Sequence, residues 1–157
     1  MPPESTTAWS DSFATGLEAM DAQHKELFDL TYALECSADS SQRAAKLEAL
    51  KARLFEYIQA HFAYEEDLMA RLNYPKTKSH FHQHDAFRER FQAFKREAAK
   101  GAAVELPMAN FLKTWLQHHI RFVDKELADF AKKQAAAASS SKNAKPSAAT
   151  NFAFGEW

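Results

Sequence analysis

The chain has 157 residues, with 20 basic and 21 acidic side chains and a formal net charge of -1. That length suits one domain with a full hydrophobic core, and the charge balance gives a phosphate backbone nothing to hold, so no nucleic-acid partner is expected. One cysteine, Cys36, excludes an intramolecular disulfide, and no run approaches the ~18 apolar residues of a membrane span, so no membrane insertion is expected.

The first residues, MPPESTTAWSDSF, lack a basic stretch followed by an apolar run, so a cytoplasmic location is the expectation. Residues 1–20 read as an irregular arm whose Trp9, Phe13 and Leu17 can lie against the body. Asp21 is a candidate cap for a first helix through AQHKELFDLTYALECS, in which His24, Leu27, Leu30 and Leu34 recur at three- and four-residue steps. Ser40 or Ser41 can start a second, longer helix. Its inward stripe is Leu47, Leu50, Leu54, Ile58, His61, Glu65, Leu68 and Leu72. The segment NYP at 73–75 stops it.

Thr77 or Ser79 starts a third helix, with His80, His84, Phe87, Phe91 and Phe94 in register, and Gly101 ends it. Pro107 suits the first turn of a fourth, which runs to about Lys133 with Phe111, Leu112, Trp115, Leu116, His119, Phe122 and Val123 inward. Four helices with short connections predict an all-α, up-down-up-down four-helix bundle. The domain spans 1–133, and 134–157, rich in alanine and serine, reads as a flexible C-terminal tail.

The chemistry lies in residues that share faces with these apolar stripes. His61 and Glu65 are four apart on the second helix, and His80 and His84 are four apart on the third, so each pair presents two donors to one side. His24 and His119 sit on the stripes of the first and fourth. Asp124 follows His119 by five residues, a rotation of roughly 140° on an α-helix. That makes it awkward as a partner on the same ion as His119 and easier to place as a bridge. A lone helical histidine is more often a surface or satisfied core residue than a ligand. Here every predicted helix supplies a donor, and so many polar groups left alone in a dry interior would cost many kcal/mol. His82 points about 200° from His80, and His118 is one residue off the stripe; both face outward. Imidazoles with carboxylates suit two adjacent irons.

The pieces DAQHKEL (21–27), HFAYEE (61–66), HFHQH (80–84) and HHIRFVD (118–124) together resemble the hemerythrin family, in particular its single-domain bacterial form, over residues 9–131. Trp9 resembles the tryptophan of the N-terminal arm in such domains. The resemblance implies one iron held by His80, His84 and His119 and another by His24 and His61. It further implies that Glu65, Asp124 and an oxo or hydroxo group bridge the two irons. An open position on the second iron would take dioxygen. The expected function is therefore reversible dioxygen binding for storage, delivery or scavenging, without enzymatic turnover. Leu27, Phe28, Leu112, Trp115, Leu116 and Ile120 are candidates to keep the pocket dry, and Asp21, Gln23 and Glu56 are candidates to orient the imidazoles.

Three other readings compete. A di-iron enzyme could act on peroxide, nitric oxide or ferrous iron, although the Glu-x-x-His pairs of ferritin-like sites are missing. An oxygen-sensing module could dock a protein partner, for which Phe152, Phe154 and Trp157 are the only hint; a delivery partner is equally open. A structural zinc bundle is the third, although five histidines and two carboxylates exceed what one tetrahedral zinc uses.

Overall fold

The computed structural model describes residues 8–37 and 43–143. They form α1 (Glu18–Ser37), α2 (Arg43–Leu72), α3 (Thr77–Ala99), α4 (Glu105–His119) and α5 (Lys125–Asn143), with no strand among the described residues. A single π-helical turn, Ile120–Asp124, joins α4 to α5 without a break, so these two make one rod. α1 packs on α2 and α4, and α2 on α3. Ring contacts of Phe87 and Phe94 with Phe111, and of Phe87 with Trp115, tie α3 to α4. The result is the expected four-helix bundle.

The helix ends obey local chemistry. After α2, Asn73 takes φ 49°, a left-handed conformation that asparagine tolerates, and the Tyr74 N–H donates back to the Met69 carbonyl at 3.0 Å. After α3, Gly101 takes φ 87° and the Ala102 N–H donates to the Glu97 carbonyl at 3.1 Å. Both stops fall where Pro75 and Gly101 led us to expect them. The proposed caps Ser40 and Ser41 lie outside the described residues.

α1 begins at Glu18, three residues before the expected cap. Asp21 therefore sits inside the first turn and reaches backward. Its carboxylate accepts from the Thr15 N–H and hydroxyl, both at 2.7 Å, and from the Gly16 N–H at 3.1 Å. Partial burial pushes its carboxyl up, and these bonds more than reverse that, holding it below the ordinary value of 3.8. The stabilisation is complete above that ordinary value and is lost as pH falls through the lower folded value. Asp21→Ala is expected to cost about 1 kcal/mol and to lower Tm by about 2–4 °C at neutral pH. Thermal melts of both proteins should converge once the pH is low enough to protonate Asp21 in the wild type.

Burial divides the core into two clusters. One, rich in phenylalanine, contains Phe28, Leu54, Ile58, Phe62, Phe87, Phe91, Leu112 and Leu116. The other contains Met20, Leu68, Met69, Tyr74, Leu127 and Ala128. Between them along each rod lies a layer of buried polar side chains. The arm closes one flank: Phe13 is buried and Trp9 packs on it and on Phe28.

Two expectations about the fourth rod need correction. Phe122 was placed on the inward stripe but is 63% exposed, and Asp124 takes the inward place. The π turn adds a residue to one turn of helix, which shifts the phase of everything after it. The rod also runs past Lys133 to Asn143, because the alanines of QAAAASSS favour helix even without packing. Side chains from Lys132 to Ser141 are exposed, so packing of this rod ends near Ala131 although the helix continues. Residues 144–157, with Phe152, Phe154 and Trp157, lie outside the described residues. Among the described residues no helix is long and apolar enough to cross a membrane.

Candidate metal centre

The polar layer between the two clusters consists of His24 from α1, His61 and Glu65 from α2, His80 and His84 from α3, His119 at the end of α4 and Asp124 at the end of the π turn. All seven are at most 2% exposed. Every candidate ligand named from the sequence thus arrives in one place, while His82 and His118 face solvent as expected.

The two carboxylates sit between two groups of imidazoles. One Glu65 oxygen lies 3.0 Å from His84 Nε2 and 3.3 Å from His80 Nε2, and its other oxygen lies 3.6 Å from His61 Nε2. One Asp124 oxygen lies 3.0 Å from His119 Nε2 and 3.4 Å from His80 Nε2, and its other oxygen lies 3.1 Å from His24 Nε2. Donor atoms of Glu65, His80, His84 and His119 fall within 4.8 Å of one another, as do those of His24, His61, Glu65 and Asp124.

Hydrogen bonding accounts for only part of this arrangement, the 3.0 Å contact between His84 Nε2 and Glu65. Nε2 of His24, His80 and His119, one Glu65 oxygen and both Asp124 oxygens are buried without a hydrogen-bond partner. Orphaned buried polar atoms are rare and costly. Their lone pairs converge on shared space instead. Two donors about 2.1 Å from one ion and at right angles would stand roughly 3.0 Å apart, and the shortest imidazole–carboxylate pairs here stand 3.0–3.1 Å apart. The donor set, nitrogen-rich with two carboxylates reaching both groups, is capable of coordinating a di-iron site.

The π turn makes this possible. On an α-helix Asp124 would point roughly 140° from His119. The Lys125 N–H donates to the Ile120 carbonyl, a five-residue step that brings His119 and Asp124 to one side of the rod. This local geometry has no clear marker in the sequence IRFVD.

The buried groups of the cage shift one another's titration. Burial and the Asp124 charge push Glu65 well above its ordinary value. Burial would raise Asp124 too, but contacts with His119, His24 and His80 hold it well below. Burial lowers His80, yet its contacts with Asp124 and Glu65 outweigh this and carry it up to about 9. Burial and neighbouring imidazoles drive His61 down to about 3 and His84 down to about 2. Among these imidazoles His80 alone is thus driven upward, by the two carboxylates it faces. Loading divalent metal at pH 7 is expected to expel the His80 proton, so apparent affinity should rise with pH up to about 9. Metal titrations in weakly buffered solution with a pH indicator measure both effects.

The outer contacts differ from those expected. Gln23 faces His61, its side-chain oxygen 2.9 Å from Nδ1. Asp21 instead holds the arm, and Glu56 is exposed on α2, lining a separate cavity of about 450 Å³ beside Phe55 and Phe94. Glu66 was missed: its carboxylate lies 3.0 Å from His84 Nδ1. It follows Glu65 directly in the run EED, and nothing in that run marks it as a partner of His84. Two rings press on the imidazoles, Phe62 on His84 at 3.7 Å and Trp115 on His119 at 4.1 Å between centroids.

Comparison with known proteins agrees with this geometry. Residues 15–131 match the family model described as the hemerythrin HHE cation binding domain. The chain belongs to the hemerythrin family. A bacteriohemerythrin of Stenotrophomonas maltophilia is 31% identical over 121 residues, covering 77% of this chain and 78% of that protein. A hemerythrin-like protein of Naegleria gruberi is 34% identical over 116 residues, covering 74% of this chain and 86% of its own. A bacteriohemerythrin of Clostridium acetobutylicum is 29% identical over 126 residues, with 77% and 98% covered. In this hemerythrin-family chain the matched segment begins at Thr15, beside the Asp21 clasp, and ends where packing of α5 ends.

Proposed function

We propose that this chain binds dioxygen reversibly at a non-haem di-iron centre, in the manner of a single-domain bacteriohemerythrin, and serves in oxygen storage, delivery or scavenging. The observation that carries this reading is the donor balance. Two carboxylates, each facing both groups of imidazoles, stand among five histidines in a dry cage.

His80, His84 and His119 would hold one iron and His24 and His61 the other. Glu65 and Asp124 would bridge them, with an oxo or hydroxo group completing the bridge. When bound, the iron pair supplies two electrons that dioxygen can accept and return. The smaller ligand count on the side of His24 and His61 leaves room for a small molecule there.

The protein's own part is to orient and to keep dry. Gln23 fixes the His61 ring, and α1 presents buried Leu27 and Phe28 within a turn of His24. Leu112, Leu116 and Ile120 are buried along α4 and the π turn, and half-buried Trp115 covers the face of His119. These walls limit water and slow proton entry, which favours return of dioxygen over onward chemistry.

Anaerobic loading with ferrous salt tests the proposal. Two irons per chain, and an intense visible band that appears in air and vanishes on deoxygenation, support a carrier. Rapid turnover with release of product would point to a di-iron enzyme. One zinc per chain in the purified protein, with no colour after ferrous loading, would reject the reading.

A further inference from the structure

We propose that Glu66 and Arg88 form a positioning unit for His84, reaching the cage from the solvent side of the bundle. The inference rests on the di-metal reading above and assigns a role to residues outside the seven candidate ligands.

To offer its Nε2 lone pair to the cage, His84 must carry its proton on Nδ1, and that N–H needs an acceptor. Glu66 supplies one at 3.0 Å. Nδ1 of His24, His80 and His119 has no such partner, and that of His61 meets the neutral amide of Gln23. Among the described residues His61 and His84 are thus the two cage imidazoles with an acceptor at Nδ1, and at His84 that acceptor is itself held by Arg88.

Arg88 holds that carboxylate in place. Its Nη2 donates to the same Glu66 oxygen at 2.9 Å, its Nη1 to Asp85 at 2.9 Å and its Nε to Gln59 at 3.3 Å. The guanidinium also lies 5.1 Å from the centre of the Phe62 ring. That ring is stacked on His84 with planes only 8° apart. The imidazole is therefore gripped on its edge by Glu66 and on its face by Phe62, and Arg88 backs both. Glu66 is 22% exposed and Arg88 29%, so both can be changed without opening the core. An ordinary surface ion pair would contribute little and would leave the cage unaffected.

Cobalt(II) is the probe, because it needs no oxidation and its bound imidazole N–H protons give shifted resonances. Wild type, E66A, E66Q and R88Q are titrated with cobalt(II), with helical content checked by circular dichroism. E66A is expected to bind the metal pair roughly 10–100-fold more weakly and to lose protection of one exchangeable shifted N–H signal. E66Q, whose amide oxygen can accept the same proton, should recover to within about threefold of wild type. R88Q should fall between, at roughly 3–10-fold weaker, and supplies the test if E66A does not fold. Wild-type affinity and an unchanged N–H signal in E66A, or in R88Q if E66A is not folded, would overturn the proposal. So would E66Q as weak as E66A, since charge and not orientation would then be the cause. A wild-type protein that takes up fewer than two cobalt ions per chain would instead reject the di-metal reading itself.

Discussion

Glu65→Gln is expected to leave the bundle folded and to reduce bound iron below two per chain, with apparent affinity for the pair lower by roughly 100-fold or more. The substitution keeps the shape of the side chain and removes its charge. Glu65 places one oxygen near His80 and His84 and the other near His61, so both groups of imidazoles lose the anion they share. The remaining carboxylate, Asp124, cannot compensate for two divalent ions in a site that water does not reach. Iron content after desalting measures the effect. Asp67→Asn, two residues along the same helix but exposed and paired with Arg71, should change nothing and serves as the control. Two irons retained by Glu65→Gln with undiminished affinity would contradict a bridging role.

Removing metal is expected to have the largest effect on stability. The cage leaves buried oxygen and nitrogen atoms of Glu65, Asp124, His24, His80 and His119 without hydrogen-bond partners. Metal that binds only the folded chain stabilises it by about 4 kcal/mol when free metal exceeds its dissociation constant by about 1,000-fold. For a chain of this size that corresponds to a Tm higher by roughly 8–16 °C. Chelator-treated protein should melt lower by that amount, and reloading with ferrous ion under anaerobic conditions should restore it. Coincident melting curves for stripped and reloaded protein would show that the cage does not bind metal in the folded state.

Much of the bundle was legible before any coordinates. Leucine and phenylalanine at helical spacing, with Pro75 and Gly101 as stops, located α1, α2, α3 and the start of α4 within a few residues. Such signals are local, because a helix face is defined by residues a turn apart. The pairs His61–Glu65 and His80–His84 were legible for the same reason. The errors cluster where the determinants are not local. Asp21 looked like a cap, but its partners Thr15 and Gly16 lie in an irregular arm whose path depends on packing. Phe122 looked inward because a regular helix was assumed. Glu66 carries no local signal, because Arg88 and His84, which hold it, come from another helix.

Residue spacing is enough to give four amphipathic rods that each carry a donor toward a common axis, since side-chain direction along a helix follows from spacing alone. How those donors meet depends on the packed bundle. A π turn between His119 and Asp124 places the aspartate between two groups of imidazoles, and contacts across helices choose Gln23 and Glu66 as the partners that orient the rings. The helical period governs which face a residue shares; where opposing faces come into register is set by packing between chain segments that are distant in sequence.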